Sequence, residues 1–462
     1  MPDRNQRFID AFPSQSITGI RSASTDRIVC VRLCVSVALL AFLFSLLPCS
    51  VYGEKSGSGE RPTVVFEDNR LYQNNLAGAR IRGSAPTHLE ADTIYANGRA
   101  GVNVGGTSTS EDKYLRIAID DTDLSNNVTA GINVEEAVHV ELGESRIHDN
   151  ALAGVRMVTS DKSEGRVLQA HIRDNRIYQN GRSGVRAIPE TDELRTEEKL
   201  DLLLPPAVDL LLRNNEIHDN VQAGLRVENN TRLIAEENLV RDNGMGVISY
   251  ESAIPPRLDV YRNTISFNTG PGIHVINGIT NRIGVRNNWV FNNERSGIVC
   301  GIWGHADKSL LDIDIINNTV VSNGSSGTGA GIRNNSKGKT LIMNNIVAYN
   351  YVTGIRTIKC KNDFMNLLFA NGDVANCCED PDDAPYWVER NQFAGCPERG
   401  KGDLIANPLF INPDSYNFRL RQESPAIDAG NPSALYDDIS LPSRKGTDRN
   451  DMGATGGPYA AD

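Results

Sequence analysis

The chain carries no basic excess: 47 lysines and arginines stand against 58 aspartates and glutamates, a net charge of −11. That balance excludes a protein that coats nucleic acid, whose surface needs surplus positive charge to meet phosphates. Long apolar runs are missing too. The stretch Val35–Leu47 has 13 residues, short of the roughly 20 that span a bilayer as a helix. In the cysteine-rich segment a spaced pair is lacking, since Cys377 and Cys378 are adjacent rather than separated by two residues, which argues against a zinc knuckle. Nor is the composition that of a disordered or collagen-like chain: apolar residues make up 39%, about 48% with the 41 glycines included, enough for a large core.

The apolar stretch Val35–Leu47 is preceded by Arg27 and Arg32 and followed by Pro48 and the small-residue end Val51-Tyr52-Gly53. Basic start, short apolar core and small-residue end make residues 1–53 a secretory signal peptide, or an anchor if it is retained. Without it the balance is 42 basic to 55 acidic groups, or −13, because residues 1–53 hold five arginines and three acids. Of the eight cysteines, Cys300, Cys360, Cys377, Cys378 and Cys396 remain. In an exported protein the last four read as disulfides tying down a loop-rich segment.

A motif recurs along the chain: Asn-x-Ile/Val/Leu-x-x-Asn-x-x-x-Gly-Ile/Val-x-Val/Ile, complete at Asn175, Ile177, Asn180, Gly184 and Val185. Its glycines fall at 78, 101, 131, 154, 184, 224, 246, 272, 297, 331 and 354, most often 22 to 26 residues apart, and each unit carries the second asparagine, from Asn74 to Asn350. Apolar residues alternate within each unit, the period-two pattern of short strands with one buried face. Such strands close a core only by stacking, which would pile Leu71, Ile94, Leu124, Ile147, Ile177, Ile217, Val240 and Ile265 into one column. The expected fold is all-β, a single-stranded right-handed parallel β-helix of about 11–13 turns. Asparagine would sit at the bend, tolerating a left-handed backbone and bonding to its equivalents above and below; glycine would let the chain turn into the next strand.

These residues resemble the right-handed parallel β-helix repeat proteins, the pectate-lyase-like superfamily of carbohydrate-binding proteins and sugar hydrolases. The resemblance covers residues 66 to about 430. Ala406–Phe410, Asn417–Leu420, Ser424–Gly430 and Asp451–Gly453 look like the closing segment of many secreted bacterial β-helix proteins. The expected layout is a signal at 1–53, the β-helix at 54–358, irregular cysteine-containing last turns and a cap at 359–430, and a tail at 431–462.

Stacked turns line up equivalent residues into files about 4.8 Å apart. Two positions after the glycine come Arg80, Asn103, Asn133, Arg156, Arg186, Arg226, Ile248, His274, Val299, Arg333 and Arg356. Three consecutive arginines either pair with acids of adjacent turns or await an anionic ligand, for which the planar guanidinium fork suits carboxylate or sulfate. A second file reads Tyr72, Tyr95, Ser125, His148, Tyr178, His218, Arg241, Ser266 and Phe291. His148, Tyr178 and His218, followed by Asp149, Gln179 and Asp219, offer groups suited to acid–base work. The candidate catalytic set is therefore His148, Tyr178, His218 and Arg186, with Arg156, Arg226, Asp149 and Asp219 binding substrate and no metal ligand assigned. The insertion Thr191–Pro206 would rim the same turns.

The expected function is an exported monomer that binds an acidic polysaccharide or cell-envelope glycan along its outer face, with lyase action as an extension. The competing expectation is a noncatalytic surface or adhesion scaffold. No pectate-lyase or polygalacturonase signature, no Asp-Pro-His-Asp run and no Gly/Asp-rich calcium repeat is present. The acidic run Glu379–Asp383 is the one candidate for Ca²⁺, and reads as well as a solvated loop.

Overall fold

The computed structural model describes residues 63–460 apart from 84, 106–114, 137, 160–166, 190–205, 251–255, 277–278, 302–309, 337, 339, 358–364, 370, 372–373, 379–403 and 440–444. The signal segment, the insertion from Thr191 to Pro205, Cys360, Cys396 and the acidic run at 379–383 lie outside the described residues. Among the described residues no helix is long and apolar enough to cross a membrane.

The alternating segments form short parallel strands, three to a turn. Turn 4 contains Val138–Gly143, Arg146–His148 and Val155–Val158; turn 5, Leu168–Arg173, Arg176–Tyr178 and Val185–Ala187; turn 6, Val208–Arg213, Glu216–His218 and Leu225–Val227. Ten such turns run from Val64 to Asn334, an eleventh merges its first two strands into Thr340–Ala348, and a twelfth comprises Met365–Phe369 and Val374–Cys378. The first and second strands of successive turns join one 23-stranded sheet, and the third strands make a separate sheet of 12. This is the expected parallel β-helix.

Its interior is the predicted column. Ile94, Leu124, Ile147, Ile177, Ile217, Val240 and Ile265 are fully buried and in register from turn to turn, while Leu71 at the open end is only partly covered. Each such side chain contributes about 1.5–3 kcal/mol on burial. No turn can hide its own column residue, so stability comes from stacking.

The asparagine file is continuous. Asn74, Asn97, Asn127, Asn150, Asn180, Asn220, Asn243, Asn268, Asn293, Asn323 and Asn350 each donate from Nδ2 to Oδ1 of the next, over 2.8–3.2 Å, and the file ends at Asn371. A second file, at the bend between first and second strands, runs through Asn175, Asn215, Asn238, Asn263, Asn288, Asn318, Asn345 and Asn366. Two details differ from expectation. The left-handed residue is the one before the file asparagine, as at Asp149 (φ 53°), Gln179 (φ 53°) and Asp219 (φ 55°); the asparagine turns inward and satisfies the backbone instead. The motif glycines have no positive φ. They are required by close approach: a Cβ on Gly184 would lie 2.7 Å from Ile217 Cγ2 and 2.8 Å from the Gly224 carbonyl oxygen.

After Leu404–Ile405 pairs with the twelfth turn, the chain leaves the stack. Phe410–Asn412 and Asn417–Leu420 form an antiparallel pair, and Phe410, Phe418, Leu420, Ala426 and Met452 pack on Phe291, Val321, Ile346 and Ala348. Residues set apart as a tail belong to this body: Asn317 Nδ2 donates to the Asp451 carbonyl at 2.7 Å, and Gly453 N to the Asn344 carbonyl at 2.7 Å. It covers the outer wall of turns 9–11, because the outward side chains there are apolar and need cover.

Candidate functional site

Both predicted files exist as registered columns. His148, Tyr178 and His218 occupy equivalent positions on the second strands of turns 4–6, and Arg156, Arg186 and Arg226 occupy equivalent positions on the third strands. The first set faces out because the residue before each, Ile147, Ile177 and Ile217, faces in.

The imidazole, phenol and imidazole rings are stacked nearly parallel: His148 and Tyr178 centroids are 4.7 Å apart with planes at 4°, and Tyr178 and His218 are 5.0 Å apart at 2°. Carboxylates hold the outer rings. His148 Nδ1 lies 2.7 Å from Asp149 Oδ2 and its Nε2 lies 3.2 Å from Asp123 Oδ1. The Asp123 hydrogen bond holds the His148 imidazole above its usual pKa, with Asp149 reinforcing it and burial opposing; in return His148 holds the Asp123 carboxyl below its usual range. Both carboxylates thus favour the protonated form of His148. Burial, with the charges of Asp123 and Asp149, pushes the Tyr178 phenol up, so it stays protonated. His218 Nδ1 lies 2.7 Å from Asp219 Oδ2, and its Nε2 is buried without a hydrogen-bond partner, 3.8 Å from Glu216 Oε1. Glu216 also receives Arg176 Nε at 3.0 Å and Arg241 at 2.7 Å. Burial works to raise the Glu216 carboxyl, but the Arg241 hydrogen bond with His218 and Arg176 nearby holds it low.

The arginine file divides between both expected readings. Arg226 is paired, its Nη2 2.5 Å from Glu228 Oε1 and its guanidinium 4.2 Å above the Tyr250 ring. Arg156 Nη1 donates to Asn133 Oδ1 at 2.7 Å. Between them Arg186 keeps a buried Nε with no partner among the described residues. Burial lowers its pKa, and the charges of Arg226, Arg182 and Arg156 lower it further, with Glu228 opposing them.

A lyase reading requires His148, Tyr178, Arg186, His218 and Arg226 to converge on one groove, and the structure sets them in two columns. The two columns stand on different sheets, separated by the bend at Asn150, Asn180 and Asn220, and among the described residues no hydrogen bond or ion pair joins them. Asp149 and Asp219 sit at that bend and serve the histidines. Sequence reasoning missed Asp123, Glu216 and Glu228, which hold His148, Arg241 and Arg226. Glu228 had a readable signal: it follows Arg226 by two positions, within reach on the same face.

Cys300 is a free, buried core residue whose thiol burial pushes up to about 12. Cys377 and Cys378 end the last strand of the third-strand sheet.

Fold and side-chain files together define a solenoid protein of the right-handed parallel β-helix class. The sequence matches the right handed beta helix region over residues 57–197, 114–260 and 170–320, and the chain belongs to that family. No curated protein matches it. Similar solved structures include the Azotobacter vinelandii mannuronan C-5 epimerase AlgE6 A-module, 14% identical over 71% of this chain and 92% of that one, with a TM-score of 0.40. The periplasmic alginate epimerase AlgG is 12% identical over 69% and 74% (TM-score 0.34), and pectate lyase Pel9A 11% identical over 85% and 87% (TM-score 0.38). Likeness at this level says nothing of substrate.

Proposed function

We propose that the protein binds an acidic polysaccharide along the third-strand sheet at turns 4–6, with Arg156, Arg186 and Arg226 taking successive carboxylate or sulfate groups. The supporting observation is Arg186: its Nε is covered and unbonded, like charges flank it, and the nearby carboxylate Glu228 is engaged by Arg226. An anion arriving there exchanges repulsion for forked, charge-assisted hydrogen bonds. A polymer of acidic sugars presents its charges in series, as the turns present the arginines. The N-terminal apolar segment supports export as the route to such a polymer.

Binding is better supported than cleavage. A lyase needs a base within reach of the proton beside the carboxylate; the Asp123 hydrogen bond favours the protonated form of His148, burial favours the neutral phenol of Tyr178, and the free His218 nitrogen is buried. The test is a binding titration of polyuronates, sulfated glycans and a neutral glucan at low and high salt. Acidic polymers should bind and salt should weaken them. Arg186→Gln should lower affinity roughly tenfold or more, the worth of a hydrogen bond to a charged group, while the free protein folds at least as stably. Equal affinity of variant and parent, or no binding across the panel, overturns the proposal and leaves the scaffold reading.

A further inference from the structure

A third group of side chains lies on the outer face of the first strands, one bend away from the ring stack. His139 and Glu141 stand two residues apart on Val138–Gly143 and so project from the same side of the sheet. Parallel register sets Gln169 beside His139 and His171 beside Glu141 on the next turn. Glu141 Oε1 lies 2.7 Å from His139 Nε2 and 2.9 Å from His171 Nδ1, and the three ligand atoms lie within 4.8 Å of one another. His139 Nδ1 lies 3.1 Å from Gln169 Oε1, the kind of outer partner that orients a metal-binding imidazole with its other nitrogen facing the ion. Ala118 and Leu211 flank Glu141 and His171 in register, so no cation competes for the carboxylate from that file; Arg116, beside His139, is exposed.

We propose that His139, Glu141 and His171 form a binding site for a divalent transition-metal ion of the zinc class, with a fourth position open to water. Two imidazole nitrogens converge on one carboxylate oxygen. With Glu141 ionised, each nitrogen must present a proton to that oxygen, and a dication at the centre of the group replaces both. Two nitrogens and one oxygen match the three-ligand set of open zinc sites and disfavour Ca²⁺ and Mg²⁺, which take oxygen shells. Metal–ligand distances of about 2.0–2.2 Å put tetrahedral ligand atoms about 3.3–3.6 Å apart, so each nitrogen has to move away from the Glu141 oxygen by about 0.4–0.9 Å. Two turns supply the ligands, so the ion ties turn 4 to turn 5.

The experiment strips the full chain with chelator and titrates it calorimetrically with Zn²⁺, then repeats the loading with Co²⁺ to read its absorption. One ion should bind at this site with visible d–d bands and no near-ultraviolet thiolate band, which separates it from any cysteine site. His139→Gln and His171→Gln should each weaken binding at least tenfold, and His88→Gln should leave it unchanged. Zinc should raise the melting temperature of the parent and not of His171→Gln, whose melt without zinc reports its folding. Absence of saturable binding, a thiolate spectrum alone, or parental affinity in both variants overturns the proposal.

Discussion

Replacing Asp92 by asparagine should make the protein more stable at neutral pH. Asp92 stands in the file that asparagine fills from Asn175 to Asn366, and it is 1% exposed. Its Oδ1 accepts from Asn69 N at 2.7 Å and Asn69 Nδ2 at 3.1 Å, but its Oδ2 is buried without a partner. In later turns an Nδ2 fills that place and donates to a carbonyl, as Asn175 does to Leu142 at 3.0 Å; an ionised carboxylate has no proton to give. Burial raises the Asp92 pKa from 3.8 to about 6 against the two Asn69 hydrogen bonds. The folded state therefore holds a proton that the unfolded chain has released, and stability falls as pH rises from about 4 through about 6. At about 1.4 kcal/mol per pH unit the ionised form costs roughly 3 kcal/mol at pH 7. Asp92→Asn should recover about 1–3 kcal/mol there and only a few tenths near pH 4. Because turns open locally, the gain belongs to the first turns rather than to the global midpoint. Amide exchange over residues 64–135 should slow by roughly 5- to 150-fold at pH 7. Exchange as fast as in the parent at pH 7, or a gain of equal size at pH 4, would refute the reasoning.

Asn220→Ala removes Nδ2 donations to Asn243, Ile177 and His218 and the acceptor for Asn180 N and Nδ2; with buried groups left unpaired, urea unfolding should show a loss of about 3–6 kcal/mol. Asn74→Ala, at the open end of the same file, should cost about 1 kcal/mol, and equal losses at both sites would contradict the account. In an NMR titration of ring-labelled histidines, His148 should titrate above 6.5 and His274, pushed down by burial with Arg333 and Arg295 nearby, at about 4. The stability His148 contributes is present below 6.5 and lost as pH rises through its raised value, whereas His274 costs stability as pH falls from 6.5 to about 4; the reverse order of the two midpoints would sink both assignments.

The main spine was legible because its chemistry admits few substitutes: an inward amide that must donate upward and accept from below is asparagine in every turn from Asn74 to Asn350. The companion file was harder to read because its early turns use Asp92, which accepts from Asn69 N, and Thr122 and Ser145, whose hydroxyls donate to the Asp120 and Gly143 carbonyls. The left-handed position was misassigned for a related reason. It accepts Asp149, Gln179, Phe267, Ser322 and Tyr349 alike, since the amides around it fix the conformation whatever the side chain. Phe291 read as one more exposed aromatic because nothing local in the sequence says that Phe418, more than a hundred residues later, lies 5.1 Å from it. The arginine file was visible as a pattern, but which guanidinium finds a carboxylate depends on side-chain reach: Glu228 satisfies Arg226 and leaves Arg186 without an ion pair among the described residues.

Soaking a crystal of the protein with an acidic oligosaccharide tests the central claim most directly. The account predicts sugar density on the third-strand sheet, with a carboxylate or sulfate against Arg186 and its neighbours in the file at Arg156 and Arg226. Density on the ring stack of His148, Tyr178 and His218 with the arginines untouched, or none on either face at saturating ligand, would contradict it.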